Sequence, residues 1–321
     1  MKILDQGPWT KDHGPKRMRY KRIIKCLLLV LCPLSIVHGP AFAQATQFML
    51  EDTVGGKYKI KIYVVGDVQA RNQIQESLYK AVDHASATSK KIDANDPSGE
   101  LGAINAKQAK GEYMVSPELA EAINDGWEAS EWTKGLYDIT YASAQGSYKD
   151  VKIKTKTNEL KIKKDGILIN LDYIARGVLA DQIADDMNNA GWKNVLVKLE
   201  DVFVARGNDV NGPWKVPIIT PTDKLAKRAL YYKATDVAAA SVTTNRGPIR
   251  IIDGKTKQLA QSDLRSVTLF MANAAKAEGL AAGIYVMGLH KGKEFILKYP
   301  YLRSVLGDTQ GQLIFVPEFK Q

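Results

Sequence analysis

The side chains best suited to chemistry in this sequence are carboxylates set beside Gly, Thr and Arg: Asp138, Asp172, Asp181, Glu200, Asp201, Asp253 and Glu278. Carboxylate oxygens can hold a hard cation of the Mg2+ type, or take up and return a proton. One stretch adds a different capacity. Residues 167–169 are apolar and read as a strand, 170–176 as a polar turn, and a helical pattern follows from Gly177. A strand running into a helix start gathers unpaired backbone N–H groups, and such groups bind anions. Arg176 stands where such an anion would want it. Taken alone, each acid reads first as a solvated surface charge, and 167–181 as an ordinary strand–turn–helix. The case for a site therefore rests on how they combine.

Several chemistries are excluded. The first 43 residues read as a targeting leader: a basic stretch from Lys16 to Lys25, an apolar run 23–37, and the small–x–small site Ala41-Phe42-Ala43. The expected mature chain, 44–321, is exported and periplasmic, and no integral membrane segment remains after leader cleavage. Both cysteines, Cys26 and Cys32, fall inside the leader, so the mature chain has no thiolate nucleophile, disulfide or Cys-ligated metal. Only His84 and His290 remain of four histidines, which rules out a multi-His metal site. The formal charge of +10 shrinks to +4 once the leader's eight basic and two acidic residues are removed. That is too weak an imbalance to argue for nucleic acid. No phosphate-binding Gly-rich loop, dinucleotide fingerprint, His-Glu-x-x-His or Gly-x-Ser-x-Gly is present.

The elements that must position these groups are mixed. Residues 57–65 alternate with period two and predict a strand. Ile74, Leu78 and Val82 predict a helix, with His84 near its end. Residues 99–105 read as a short turn. Ser116-Pro117-Glu118 is a helix start, with a capping hydroxyl, Pro in the first turn and an acid at the positive end of the dipole. Residues 151–164 alternate Lys with apolar or Thr residues and predict a hairpin, its lysines guarding an edge. Leu179, Ile183 and Met187 share a helical face that ends at Gly191. Strands are expected within 194–205, 214–219, 237–242, 249–252, 266–271 and 313–316. A helix over 272–287, rich in Ala and Gly, must pack closely on a neighbour and stops at Gly288. Another is expected over 292–299. No regular strand–helix–strand repeat emerges, so the fold class is α+β, in one domain or two close lobes.

Taken in order, these segments resemble the FAD:protein FMN transferase (ApbE-like) family over residues 53–299. Glu100-Leu101-Gly102-Ala103-Ile104-Asn105 is similar to that family's Ser-Glu-Leu-Ser-x-Leu-Asn, and Gly135-Leu136-Tyr137-Asp138-Ile139-Thr140 to its Gly-Ala-Phe-Asp-Ile-Thr. Residues 170–181 resemble its Asp-Leu-Gly-Gly-Ile-Ala-Lys-Gly-Tyr-x-x-Asp, and Ala277-Glu278-Gly279-Leu280-Ala281-Ala282-Gly283 its Ala-Asp-Ala-Leu-Ala-Thr-Ala. The resemblance implies an ApbE-like fold and an enzyme that cleaves FAD, transfers FMN to a Thr or Ser of a partner protein and releases AMP with Mg2+ support. It implies that Leu136, Tyr137, Asp138, Asn170, Arg176 and Ile252 hold the nucleotide, that the Tyr173 carbonyl and Glu278 face the metal, and that Asp253 is catalytic. It also implies an acceptor protein belonging to a membrane-associated electron-transfer system.

The pattern departs from the family at several places. Asn170 replaces an Asp, Glu200-Asp201-Val202 a Gly-Gly-Asp, and Arg250 the His of His-Ile-Ile-Asp-Pro. Glu278 and Ala282 stand where the family's helix presents Asp and Thr. Three readings follow: a transferase, a flavin- or partner-binding protein of the same fold without catalysis, and an unrelated periplasmic solute binder. The collinear motifs argue against the third.

Overall fold

The computed structural model describes residues 45–219, 230–244 and 247–318; the leader expected over 1–43 lies outside them. Along the chain come β1 (Ala45–Val54), β2 (Tyr58–Asp67), α1 (Arg71–Ile92), α2 (Glu100–Lys107), β3 (Gly111–Met114), α3 (Pro117–Trp132), β4 (Val151–Lys154), β5 (Glu159–Ile162) and α4 (Ala175–Asn189). Then follow β6 (Val195–Leu199), β7 (Val202–Arg206), β8 (Trp214–Pro217), β9 (Tyr231–Ala234), β10 (Val237–Thr243), β11 (Ile252–Asp253) and β12 (Gln258–Leu259). The chain closes with β13 (Leu264–Met271), α5 (Ala274–Leu297), β14 (Arg303–Asp308) and β15 (Leu313–Val316).

Eight strands form one antiparallel sheet in the order β1-β2-β6-β7-β10-β13-β14-β15, which is also their order along the chain. The sheet is thus a meander broken by excursions. Period-two alternation divides its faces. Val195, Val197, Leu199, Val202, Val204, Ala238, Ala240, Val267 and Leu269 join the core formed with α1, α4 and α5. Leu196, Phe203, Ala205, Ala239 and Phe270 face the other way and are covered by β8 and β9 through Trp214, Val216 and Ala234. The mixed, antiparallel arrangement is the expected α+β class.

The longest excursion, between β2 and β6, carries α1 to α4 and a small sheet in the order β3-β5-β4. Lysines do stand on its edge strand β4, where Lys154 pairs with Glu159 at 2.6 Å; on the central β5, Lys161 pairs with Glu112 at 2.8 Å. Several expectations need correction. Residues 99–105 belong mostly to the helix α2 rather than a turn. His84 lies inside α1, not near its end, and binds Asp186 of α4 at 2.8 Å. The extended run 167–170 is not a strand. Its polar backbone is satisfied instead by side chains and a neighbouring loop. Asn105 brackets Ile169 with Nδ2–H to its carbonyl (2.8 Å) and Oδ1 to its N–H (3.0 Å), while the Asn170 N–H reaches the Ile139 carbonyl (2.7 Å). Of 249–252, only Ile252 enters a strand, the two-residue β11. Gly288, at φ 75°, breaks α5 where the helix was expected to stop, and the chain resumes helix to Leu297.

Candidate functional site

The site gathers where four parts of the chain meet beside the β6–β7 turn. The first is the loop after α3. Thr133 Oγ1 accepts the Tyr137 N–H (3.2 Å), and Gly135 takes a positive φ of 78° that frees the chain to turn back. Tyr137 is then buried between α3 and α5. A Cβ at Gly126 would come 2.6 Å from Ile139, and one at Gly279 would come 3.1 Å from the Tyr137 ring, so glycine on both helices makes room for this loop. Asp138 is 2% exposed. Its Oδ1 accepts from the Thr140 N–H and Oγ1–H, both at 2.7 Å, and its Oδ2 from the Tyr148 N–H at 3.2 Å. The carboxylate thus ties its own loop together.

The second part is the turn 170–176. Asn170 Oδ1 accepts the Asp172 N–H (2.8 Å), a short Asx turn that sets the entry to α4. Tyr173 stacks on Tyr141 (4.8 Å, 24°) and lies 6.3 Å from Tyr137. Its hydroxyl donates to the Arg250 carbonyl (2.6 Å) and accepts from the Ile252 N–H (3.2 Å). That bridge draws in the third part, 250–257. Gly254 lies so close to the first loop that a Cβ there would come 2.4 Å from the Asp138 Cβ, and its N–H donates to the Leu136 carbonyl (3.0 Å). Asp253 Oδ1 accepts the Lys255 N–H (2.8 Å), and Lys257 Nζ donates to the Thr140 carbonyl (3.0 Å).

The fourth part is α5. Glu278 is 2% exposed, and both its oxygens are occupied: Oε1 by Arg176 Nε (2.6 Å) and Nη2 (2.5 Å), Oε2 by the Gly177 N–H (2.8 Å). Burial pushes the Glu278 carboxyl up, against the pull of Arg176 and that N–H. Arg176 is held in its charged form chiefly by Glu278, with Asp201 and Glu200 adding to the effect; its Nη1 lies 3.6 Å from Glu200. Asp181, one turn after Gly177, returns the favour to α5. Its Oδ2 accepts from the Ala274 (2.7 Å) and Ala275 (3.1 Å) N–H groups. Each helix N-terminus is thereby capped by a carboxylate from the other.

Leu136, Tyr137, Asp138, Tyr173, Ile252 and Asp253 are therefore brought together directly, and Asn170, Arg176 and Glu278 join them through the turn into α4. Sequence reasoning missed Tyr141, although it directly follows the matched segment Gly135–Thr140. It also missed Tyr58 at the start of β2. Burial raises the Tyr58 phenol, and Asp172 and Glu278 add to that. Glu200 stood among the candidate acids and as a departure from the family pattern, but not as a partner of Arg176.

The donor set was tested against a divalent cation. Mg2+ demands near-octahedral oxygen ligands at short range. Glu278 already gives both oxygens to the guanidinium and a backbone N–H. One turn along α5 the side chain is the methyl of Ala282. Among the described residues, no three His, Cys, Asp or Glu side chains converge as a metal site. The residues present do not make a cation site.

Fold and site together define an α+β protein whose excursions from an antiparallel meander bring these polar segments together beside the β6–β7 turn. The chain belongs to the ApbE family, which it matches over residues 54–305. It is 23% identical to the FAD:protein FMN transferase of Haemophilus influenzae, over 75% of this chain and 81% of that protein. It is also 23% identical to the enzyme of that name from Escherichia coli K12, over 80% and 83%. Its fold superposes on the flavin transferase ApbE of Vibrio cholerae with a TM-score of 0.71 at 18% identity, covering 85% of this chain and 98% of that one. For the apo flavinyl transferase ApbE of Pseudomonas stutzeri the TM-score is 0.72 at 16% identity, covering 85% and 94%.

Proposed function

We propose that this protein is an exported, periplasmic flavin transferase that moves FMN from FAD to a Thr or Ser hydroxyl of a partner protein. The observation that supports this most is that 136–138, 170–176, 250–254 and Glu278 are brought into contact with one another, in a chain of the ApbE family. In the reaction, the acceptor hydroxyl oxygen bonds to the FMN phosphorus of the FAD pyrophosphate. The bond from that phosphorus to the oxygen shared with AMP breaks, AMP leaves, and the hydroxyl proton passes to a base. Phosphoryl transfer of this kind needs mainly positioning and charge. In this reading the loop 136–138 and the Tyr141–Tyr173 stack frame the flavin nucleotide, Asn170 and Ile252 line its edges, and Asp253 is the carboxylate that takes the proton. The acceptor belongs to a membrane-associated electron-transfer system; among the described residues no helix is long and apolar enough to cross a membrane.

Mg2+ support, implied by the family resemblance, finds no donor set here, so no step is assigned to it. A second reading, flavin binding without transfer, is favoured by one observation: Arg176 is itself bound to Glu278 and faces Glu200, which lessens what it can give a phosphate. The deciding experiment incubates the protein, with and without Mg2+, with FAD and a Thr-containing acceptor domain, and reads AMP by chromatography and acceptor mass by spectrometry. Transfer gives stoichiometric AMP and an FMN-sized mass gain. Retained FAD binding with neither product leaves the second reading.

A further inference from the structure

We infer that the Arg176 guanidinium takes the place of a divalent cation at Glu278, so that this chain holds its flavin nucleotide without binding Mg2+. The inference rests on the flavin reading above and concerns how that same site is charged. A carboxylate as buried as Glu278 cannot be left unpaired; it needs a positive charge and hydrogen bonds to both oxygens. Arg176 supplies the charge through Nε and Nη2 on one oxygen, and the Gly177 N–H at the start of α4 completes the other. A cation entering here would have to displace the guanidinium and leave it facing a dication. One turn along α5 no side-chain oxygen compensates, because that position is the buried Ala282.

Glu200, on the turn between β6 and β7, pairs with the guanidinium through Nη1 at 3.6 Å, and the charge of Asp201 beside it in sequence adds to the same field. Glu278 and Glu200 thus share one covalently tethered cation, always present at full occupancy. Arg is suited to this role because it stays protonated and its planar fork meets carboxylates at fixed angles. The contact of Nη1 with Glu200 is the longest the guanidinium makes, so that corner is the one a nucleotide phosphate can compete for. Removing Arg176 leaves the Glu278 and Glu200 carboxylates facing the vacated position, and their negative charge attracts a hard cation.

The test uses the full chain. Mn2+ binding is read by electron paramagnetic resonance, and FAD binding by flavin fluorescence, in EDTA and again in excess Mg2+. The native chain is expected to show no saturable Mn2+ site, and FAD affinity that changes by less than about twofold between the two conditions. Arg176→Ala is expected to gain a saturable Mn2+ site, which Glu278→Gln in the same background abolishes. Circular dichroism checks that both variants fold; the native-chain measurement decides the matter if they do not. FAD binding that requires Mg2+, or a native Mn2+ site lost in Glu278→Gln, overturns the inference and leaves the flavin reading standing. No FAD binding in either condition overturns the flavin reading and this inference with it.

Discussion

Asp138 illustrates how a residue can matter to a site by holding its loop in place. All three hydrogen bonds it accepts come from residues within ten positions of itself, and they close the loop that carries Leu136 and Tyr137. Removing a buried acceptor leaves its donors unsatisfied, at a cost of about 1–3 kcal/mol. Asp138→Ala is therefore expected to lower the urea midpoint and weaken FAD binding together, and Thr140→Val to do the same more mildly. A loss of FAD affinity with an unchanged unfolding midpoint would instead put the carboxylate on the ligand. Asp138 was legible in the sequence because it sits in a distinctive hexapeptide. The Arg176–Glu278 pair was not legible as a pair. Its members are 102 residues apart, and the family pattern points one to the nucleotide and the other to a metal, whereas in the fold they satisfy each other.

At the scale of elements, helices with local start signals were readable and buried segments without regular pairing were not. Ser116 caps α3 as its sequence suggests, its Oγ accepting the Leu119 N–H (3.4 Å). The apolar run 167–169 looked like a strand because burial selects the same residues whether backbone partners are a ladder or side chains such as Asn105. Strand β1 and strand β14 escaped notice because their alternation is broken by polar or small residues. The Ala- and Gly-rich character of α5, in contrast, did announce close packing, and its partners are α3, against which Gly279 and Gly283 lie, and α4, which meets its first turn. A Cβ at Gly177 would come within 2.5 Å of the Ala274 carbonyl and the Ala275 Cα, all backbone. Gly→Ala inside a helix normally stabilises by about 1 kcal/mol. Here overpacking, about 1–3 kcal/mol, opposes it and also pushes the Gly177 N–H from Glu278. Gly177→Ala is expected to lower the urea midpoint; a rise would mean that α4 and α5 can separate without loss.

Over the whole molecule, the sheet is a simple meander whose chemistry lies in the excursions, and the α+β class was readable while the strand order was not, since antiparallel neighbours separated by more than a hundred residues leave no local trace. What joins the excursions to the sheet is the α4–α5 crossing, and Asp181 lies at its centre. Burial pushes its carboxyl up to about 7, against the pull of the Ala275 N–H, Arg206 and the Ala274 N–H, with Asp125 adding to the rise. Arg206 Nη2 stands 3.9 Å from Asp181 and 3.7 Å from Asp185, so its charge is shared. The unfolded carboxyl releases its proton near its ordinary value of 3.8. Between that pH and about 7 the folded chain therefore holds a proton that the unfolded chain has lost. Stability from this group is fully present at low pH and falls as pH rises through that window. The thermal unfolding midpoint of the native chain is expected to drop between pH 5 and pH 8. Glu278 is shifted in the same direction, so the native slope alone does not isolate Asp181. Asp181→Asn does, because its amide oxygen can still accept from the α5 N-terminus but cannot ionise. Its midpoint should decline less over the same range, and identical slopes in the two proteins would remove Asp181 as the source.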